Sequence, residues 1–182
     1  MTRIGETSGI LKPSVPYVEL VGAALVNAIL ADWNELRWTN VEFQTSDFES
    51  RPTSGADANQ YIYVYTTGLY EIECDLGLEF SGTDANIKIE LRILKNGVEI
   101  SGSRSIGMTA STTDYLQLSS SRTTYLKFGD EISFQFYSSS DDKPEIADTS
   151  TVFYCRARII YVPLGGFNNN AGGKIIYRGV RR

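Results

Sequence analysis

The stretch GLYEIECDLGLEF, residues 68–80, alternates apolar and polar side chains along almost its whole length. One phase carries Tyr70, Ile72, Cys74, Leu76, Leu78 and Phe80, and the other carries Glu71, Glu73, Asp75, Gly77 and Glu79. Successive side chains of an extended chain point to opposite faces, so the pattern predicts a long strand with one buried face and one acidic face. The pattern leaves open which strand lies beside it.

Similar alternation recurs along the chain and predicts an all-β fold. Residues 61–65 place tyrosines on one face and Ile62 and Val64 on the other, and Asn96-Gly97 is a strong hairpin signal. Residues 41–43 are interpreted as a strand with Val41 and Phe43 facing inward. Residues 17–38 fit either an amphipathic helix or two short strands, and the strands downstream favour the second interpretation. Further apolar phases are Ile87, Ile89, Leu91 and Ile93, then Ile132, Phe134 and Phe136, and finally Phe153, Cys155, Ala157, Ile159 and Tyr161.

The charged phases of two distant strands complement one another. The strand at 152–162 carries Arg156 and Arg158 opposite its apolar phase, whereas the strand at 68–80 carries Glu71, Glu73 and Asp75. Cross-strand pairs of opposite charge stabilise a sheet by roughly 0.2–1 kcal/mol each, so the two strands are expected to be neighbours. Cys74 and Cys155 would then lie close together on the inner face. Neighbouring strands some eighty residues apart require Greek-key connectivity, as in an antiparallel β-sandwich or jelly roll.

Composition argues against most catalytic sites. The chain of 182 residues has no histidine, which rules out a Ser-His-Asp triad, a Cys-His pair and a His-bound zinc. Two cysteines make no disulfide framework, and they are interpreted as small buried apolar residues, with one disulfide as the alternative. The loop with Asp141, Asp142, Glu145 and Asp148 lacks the ligand spacing of a dedicated calcium site, so a solvated loop is favoured. We therefore expect no enzyme activity, no cofactor and no metal.

Several segments together resemble the C1q/tumour-necrosis-factor-like (C1q/TNF-like) jelly-roll superfamily, and its phage-borne members in particular. The segment TTGLYEIECDLGLEF resembles the family's PGLYxFxxxVxF strand, IKIELRILKNGVEI its VxLxKNGxxI hairpin and YLKFGDEISFQFY its xLxxGDxVxLxxY element. The segment TVFYCRARIIY resembles the closing SxFSGxxL strand, although Arg156 replaces a small residue there, and WTNVEFQTSDFES resembles the first strands of phage-borne members. The match covers about residues 33–162.

The resemblance implies a jelly roll that forms a homotrimer with aromatic side chains at the subunit interfaces. The candidate interface residues are Tyr61, Tyr63, Tyr65, Phe134, Phe136 and Tyr137. The alternative interpretation is that they are core residues, which is favoured for Phe134 and Phe136 and weighs equally for the tyrosines, whose hydroxyls suit a partly wet interface.

The two ends of the chain differ from the rest in composition. Residues 1–32 are interpreted as an N-terminal arm or first strand region, 33–163 as the jelly-roll domain and 164–182 as a basic C-terminal tail. This tail carries four of the 17 basic side chains and none of the 22 acidic ones, which leaves the other residues with a net charge of −9. It reads either as a disordered end or as a segment that docks on a partner surface. The docking candidates are Lys174, Ile175, Ile176, Tyr177, Arg178, Arg181 and Arg182.

Two functions fit these features. The first is a bacteriophage virion structural protein, a trimeric capsid decoration (cement) protein that binds the major capsid protein. The alternative is the receptor- or glycan-binding tip of a fibre or spike, where tyrosines such as Tyr115 and Tyr137 would stack on sugars. The N-terminus lacks a signal-peptide pattern and no apolar stretch is long enough to span a membrane, so synthesis in the host cytoplasm and a final place on the capsid surface are expected. Four basic residues beside an acidic body argue against nucleic-acid binding.

Overall fold

The structure, a computed structural model, describes residues 15–25, 32–52, 59–81, 86–110, 113–140, 145–146 and 155–163. These ranges form twelve strands and no helix. The strands are β1 (Tyr17–Leu25), β2 (Trp33–Gln44), β3 (Phe48–Pro52), β4 (Asn59–Val64), β5 (Gly68–Ser81), β6 (Lys88–Lys95), β7 (Val98–Glu99), β8 (Ser105–Met108), β9 (Thr113–Leu126), β10 (Glu131–Ser138), β11 (Glu145–Ile146) and β12 (Arg156–Tyr161).

The strands are hydrogen-bonded in the order β11-β5-β12-β1-β2-β4-β10-β6-β7, with β3 on β4, β8 on β6 and β9 on β5. Strand β2 also pairs with β10, and every pairing is antiparallel. Neighbours that are far apart in sequence, such as β5 and β12, give the Greek-key connectivity of a jelly roll. The predicted all-β antiparallel fold is confirmed, and the open choice over residues 17–38 is decided in favour of strands for β1 and β2.

One core lies between the two layers of the sandwich. Edge-on ring contacts form within it, with centroids 5.6 Å apart between Phe48 and Tyr70 and 5.8 Å apart between Trp38 and Phe134. Such contacts add to the burial of the rings themselves. The apolar phase of residues 68–80 is buried throughout, and so are Ile87, Ile89, Leu91 and Ile93 of the segment around β6, as the alternation predicts. The largest fully buried side chains are Trp38, Tyr70, Phe48, Phe80, Phe134 and Phe136.

The inward placement of Val41 and Phe43 is wrong. Both side chains are exposed, Val41 at 39% and Phe43 at 53% of their accessible surface. Both continue the outward phase of β2, because the buried side chains of this strand, Asn34, Leu36 and Trp38, lie on the alternate phase. A β-bulge lies beside them, where Glu19 opposes Phe43 and the next residue, Leu20, opposes Val41.

Strand β12 lies between β1 and β5, so the acidic strand and the arginine strand are neighbours. The register places Arg156 opposite Asp75 and Arg158 opposite Glu73. The Arg156 guanidinium lies 3.1 Å from the Asp75 carboxylate and 3.8 Å from Glu19 of β1, and Arg158 is paired with Glu73. Glu71 lies opposite the aliphatic Ile160 instead. These groups are partly exposed, so each pair contributes modestly, and their main effect is to fix the register.

The two cysteines are buried as thiols on the inner side of this pairing. Cys74 lies opposite Ala157 rather than opposite Cys155, and the Cys155 thiol lies 3.3 Å from the backbone nitrogen of Gly77. Burial raises the pKa of the Cys74 thiol well above its usual value, which keeps the group neutral. Both residues act as small core side chains.

Four connections gather at one end of the sandwich, together with the residues before β1 and the residues after β12. We call this the turn end; it comprises residues 45–47, 65–67, 96–97 and 127–130, with Val15–Pro16 and Val162–Pro163. Hydrogen bonds link these segments across the end: Thr66 donates to Asp47 at 2.6 Å, Asn96 to Asp130 at 2.8 Å and the Tyr161 N–H to the Pro16 carbonyl at 3.0 Å.

Asp130 is the central acceptor of the turn end. Its carboxylate accepts hydrogen bonds from the Lys127 N–H and the Asn96 side chain, each at 2.8 Å, and pairs with the Lys95 ammonium at 2.8 Å. Burial alone would raise the pKa of the Asp130 carboxyl, but the donors Lys95, Lys127 and Asn96 together outweigh it and lower the pKa. The ionised carboxylate therefore stabilises the folded state.

Asp130→Asn is expected to lower the free energy of unfolding by about 1–3 kcal/mol at neutral pH, because the donors lose a charged acceptor. The folded-state pKa lies below the unfolded one, so this stabilisation is present above the unfolded value and is lost as pH falls through the folded one. Urea unfolding at neutral and acid pH measures it, and the difference between wild type and variant should shrink in acid. Glu42→Gln, at an exposed position on β2, is the control and should change the free energy by less than about 0.5 kcal/mol. A difference that is as large in acid as at neutral pH would contradict this role.

Candidate functional site

The outer side of β4 carries two tyrosines, and a third, Tyr65, follows directly after its last residue. Tyr61, Tyr63 and Tyr65 are half-buried, whereas Ile62 and Val64 point into the core, as the alternation predicts. Strand β4 runs beside β3 on one edge and is paired with β10 and β2 on the other. Tyr61 and Tyr63 therefore lie within a sheet surface, and Tyr65 lies where this surface meets the turn end.

Tyr63 lies between two carboxylates and beneath a guanidinium. The register places Glu49 of β3 on one side of it and Glu131 of β10 on the other. The Arg51 guanidinium lies 4.6 Å from the ring centroid, a cation–π contact, and pairs with Glu49 at 2.7 Å. A hydrogen bond to Glu131 raises the pKa of Tyr63, so its hydroxyl stays protonated and donates.

Tyr61 begins a chain of polar contacts that crosses the sheet. Its hydroxyl donates to Glu35 of β2 at 3.2 Å, and Gln135 of β10 reaches the other oxygen of Glu35 at 3.5 Å. Arg92 of β6 then donates two hydrogen bonds to the Gln135 side-chain oxygen, at 3.0 and 2.6 Å. Burial raises the pKa of Tyr61, and the nearby Glu35 carboxylate raises it further. The tyrosine hydroxyls are thus fixed as donors.

Trp33 and Tyr137 extend the same surface. They oppose one another on β2 and β10, and their ring centroids are 5.7 Å apart. The Arg92 guanidinium stacks 3.7 Å from the centroid of the Trp33 ring, and that of Arg104 lies 5.2 Å away. Glu99 pairs with both arginines, and the hydrogen bond from Arg104 chiefly lowers the pKa of its carboxyl. Trp33 and Arg92 could not be predicted as functional residues from the sequence, because no pattern within one strand signals a contact between three strands.

We call the surface formed by Trp33, Tyr61, Tyr63, Tyr65 and Tyr137 the aromatic face. Its rings are half-buried, the hydroxyls of Tyr61, Tyr63 and Tyr65 are hydrogen-bonded to carboxylates, and the neighbouring Arg51 and Arg92 are paired with glutamates. Aromatic and arginine side chains with both apolar area and a polar tip are the residues that protein interfaces favour. Within the described ranges no three acidic or cysteine side chains come together as a metal site. The arrangement is suited to binding a protein surface.

Comparison with known proteins identifies the fold. No protein-family model and no curated protein matches the chain. Among solved structures, the crystal structure of murine APRIL at pH 5.0 aligns with 81% of this chain and 99% of that chain, with a TM-score of 0.58 and 15% identity. Those of murine APRIL at pH 8.0 and pH 8.5 align with 81% of this chain and 98% of theirs, with TM-scores of 0.55 and 0.52 and identities of 16% and 15%.

The fold is a TNF-like jelly roll. At this level of identity the likeness concerns the fold alone, and the phage-borne part of the resemblance remains a prediction. The jelly roll accounts for the placement of the aromatic face on the outer side of one layer of the sandwich.

Phe134 and Phe136 do not belong to the aromatic face. Both are fully buried within one copy of the jelly roll, on the face of β10 opposite to Gln135 and Tyr137. They pack in the core and expose no surface with which another subunit could make contact. The core interpretation is therefore the one that the structure shows for these two residues.

The remaining candidates fall into two groups. The structure brings Arg156 and Arg158 to Asp75 and Glu73, where they stabilise the sheet and are not gathered into a site. The docking candidates Lys174, Ile175, Ile176, Tyr177, Arg178, Arg181 and Arg182 lie outside the described residues, and so do Asp141, Asp142 and Asp148 of the acidic loop and the side chain of Glu145. No helix long and apolar enough to cross a membrane occurs in the part of the chain that the structure describes.

Proposed function

We propose that the chain is a homotrimeric structural protein of a bacteriophage virion, a capsid decoration protein that binds the major capsid protein and has no enzymatic role. The observation that carries the proposal is the aromatic face on a TNF-like jelly roll. It presents five aromatic side chains on a rigid sheet, and the hydroxyls of Tyr61, Tyr63 and Tyr65 are already hydrogen-bonded to carboxylates.

The aromatic face supports self-association because its composition is that of an interface. Rings that are half-exposed in one chain gain further burial when a second copy covers them, and each fully buried aromatic side chain stabilises by about 1.5–3 kcal/mol. The Glu35, Glu49, Glu99 and Arg51 side chains already have partners within the chain, so covering them leaves no unpaired charge. When each copy contacts the next through two different patches, the copies form a ring if the rotation between them closes. The proposed ring has three subunits.

The virion role rests on the resemblance to phage-borne jelly rolls and on charge. Residues 164–182 are basic, whereas the rest of the chain has a net charge of −9. A trimer would present three such segments together, and multivalent attachment turns weak individual contacts into firm binding. In this proposal the protein is made in the host cytoplasm and ends on the capsid surface.

Purified protein mixed with undecorated capsids of the phage that encodes it is expected to bind saturably. Each occupied site on the capsid should hold three copies of the chain. Sedimentation of capsids with labelled protein measures the stoichiometry and the dissociation constant. Capsids that carry their full complement of decoration protein are the control and should bind no more. Absence of saturable binding would contradict this function. Binding to host cells instead would indicate the function of a fibre tip.

A further inference from the structure

The turn between β6 and β7 carries a chemically reactive pair of residues. It is formed by Asn96 and Gly97, and no other asparagine of the chain is followed by glycine. The backbone nitrogen after an asparagine can attack the side-chain carbonyl, and glycine, which has no Cβ, shields that nitrogen least. Both residues are exposed, and among the described residues nothing lies within 4 Å of the position that a Cβ of Gly97 would take. Water therefore reaches the turn.

The reaction open to this pair replaces the side-chain amide by an acid. The Gly97 nitrogen loses its proton and forms a bond to Cγ of Asn96, and the amide nitrogen leaves as ammonia, which gives a cyclic imide. Water then opens the imide at either of its carbonyls. One product is aspartate, and the other is isoaspartate, whose main chain runs through the side chain and is longer by one carbon atom. Water is the only co-reactant.

The folded chain holds Asn96 by its backbone and by both ends of its side chain. Its N–H donates to the Glu131 carbonyl, its side-chain oxygen accepts from the Glu131 N–H, and its side-chain amide donates to Asp130, each at 2.8 Å. The φ values of +52° at Asn96 and +76° at Gly97 are the left-handed values of a tight hairpin turn. Cγ must leave these hydrogen bonds before the Gly97 nitrogen can attack it, so the folded state slows the reaction.

The same contacts make the product a poor fit for the turn. The Asp130 carboxylate accepts from the Asn96 amide, beside the Lys127 N–H and the Lys95 ammonium. An ionised carboxyl group at position 96 has no hydrogen to donate, and it places a second negative charge at hydrogen-bond distance from the first. Two carboxylates that share one site disfavour the ionised folded state. Isoaspartate also lengthens the main chain between two strands that are paired in register.

We propose that Asn96-Gly97 is a deamidation site that the folded turn protects, and that conversion of Asn96 to an acid destabilises the turn end. This inference is independent of the proposed function. Opening of the hairpin exposes the site to attack, and the modified chain returns to a less stable fold. Each period of unfolding therefore leaves a permanent chemical change in a fraction of the molecules.

The first test compares the rate of deamidation in folded full-length protein with the rate in guanidinium chloride at the same neutral pH. Peptide mapping by mass spectrometry measures the gain in mass at each asparagine. Asn86 is the matched site, because it is also exposed and has φ of +61°, but it is followed by the branched Ile87. Asn96 is expected to convert at least about 10-fold faster in the denatured chain, since the folded chain reacts only when the turn opens. Asn86 should remain an amide in both. Equal rates at Asn96 in the two states, or no conversion in either, would overturn the proposal.

The second test measures the effect of the acid on the fold with Asn96→Asp, and Asn86→Asp is the control with the same change of charge. In urea unfolding at neutral pH, the equilibrium constant for unfolding should rise by about 10-fold for Asn96→Asp and by less than about 2-fold for Asn86→Asp. Combining Asn96→Asp with Asp130→Asn again places one amide beside one carboxylate. The double variant should therefore be less destabilised than the sum of the two single changes. Equal effects of Asn96→Asp and Asn86→Asp, or a double variant that is simply additive, would show that the acid does not act through Asp130.

Discussion

Phe134→Ala is expected to lower the free energy of unfolding of the subunit by about 3–5 kcal/mol, the usual effect of removing a buried phenyl ring. The ring is fully buried and meets Trp38 edge-on at 5.8 Å, so its removal leaves a cavity between the two layers of the sandwich. Urea unfolding at several protein concentrations measures the loss. Because the residue lies within one chain, the loss should not depend on protein concentration.

Phe128→Ala is the matched control for this prediction. The same side chain is removed from an exposed turn, so the expected change is within about 0.5 kcal/mol. Two results would contradict the assignment of Phe134 to the core. One is a small loss for Phe134→Ala, and the other is a loss that appears only in the concentration-dependent part of the unfolding free energy; either would indicate that Phe134 lies at the subunit interface.

Tyr137→Lys is expected to dissociate the proposed trimer while the subunit stays folded. In the separate chain the new ammonium lies opposite Glu90 and in contact with water, because Tyr137 is only half-buried. At a subunit contact the same charge would be removed from water, which costs several kcal/mol without a matched partner. We expect the subunit affinity to fall by at least about 100-fold, or about 2.7 kcal/mol. Sedimentation equilibrium measures the affinity, and circular dichroism checks the fold.

Tyr115→Lys provides the comparison. Tyr115 is exposed on β9, opposite Glu79 of β5, and lies outside the aromatic face. This variant should remain a trimer. If the two variants behave alike, either both trimeric or both monomeric, the aromatic face is not the specific contact between subunits.

Much of the fold could be predicted from local pattern. Period-two alternation over residues 68–80 and 87–93 correctly assigns the buried faces, because a strand buried on one side repeats every second residue. The pairing of the acidic strand with the arginine strand follows from charge, and the register of Arg156 with Asp75 agrees with it. These features are encoded by neighbouring residues or by one complementary pair.

The remaining features depend on contacts that no single segment reports. Val41 and Phe43 follow the outward phase that Leu36 and Trp38 set in the first half of β2, whereas the alternation of residues 40–43 alone indicates the opposite orientation. Strand β9 runs unbroken from Thr113 to Leu126 through a Ser/Thr-rich stretch, because β5 supplies a partner for all fourteen residues. The stacking of Arg92 on Trp33 and the gathering of four connections at the turn end require the tertiary arrangement of several strands.

The central claim is that a second copy of the chain covers the aromatic face. The mass of the native protein in dilute solution tests this claim most directly. Sedimentation or native mass spectrometry of the unmodified chain at micromolar concentration should give three times the mass of one subunit. A single subunit at every accessible concentration would contradict the account.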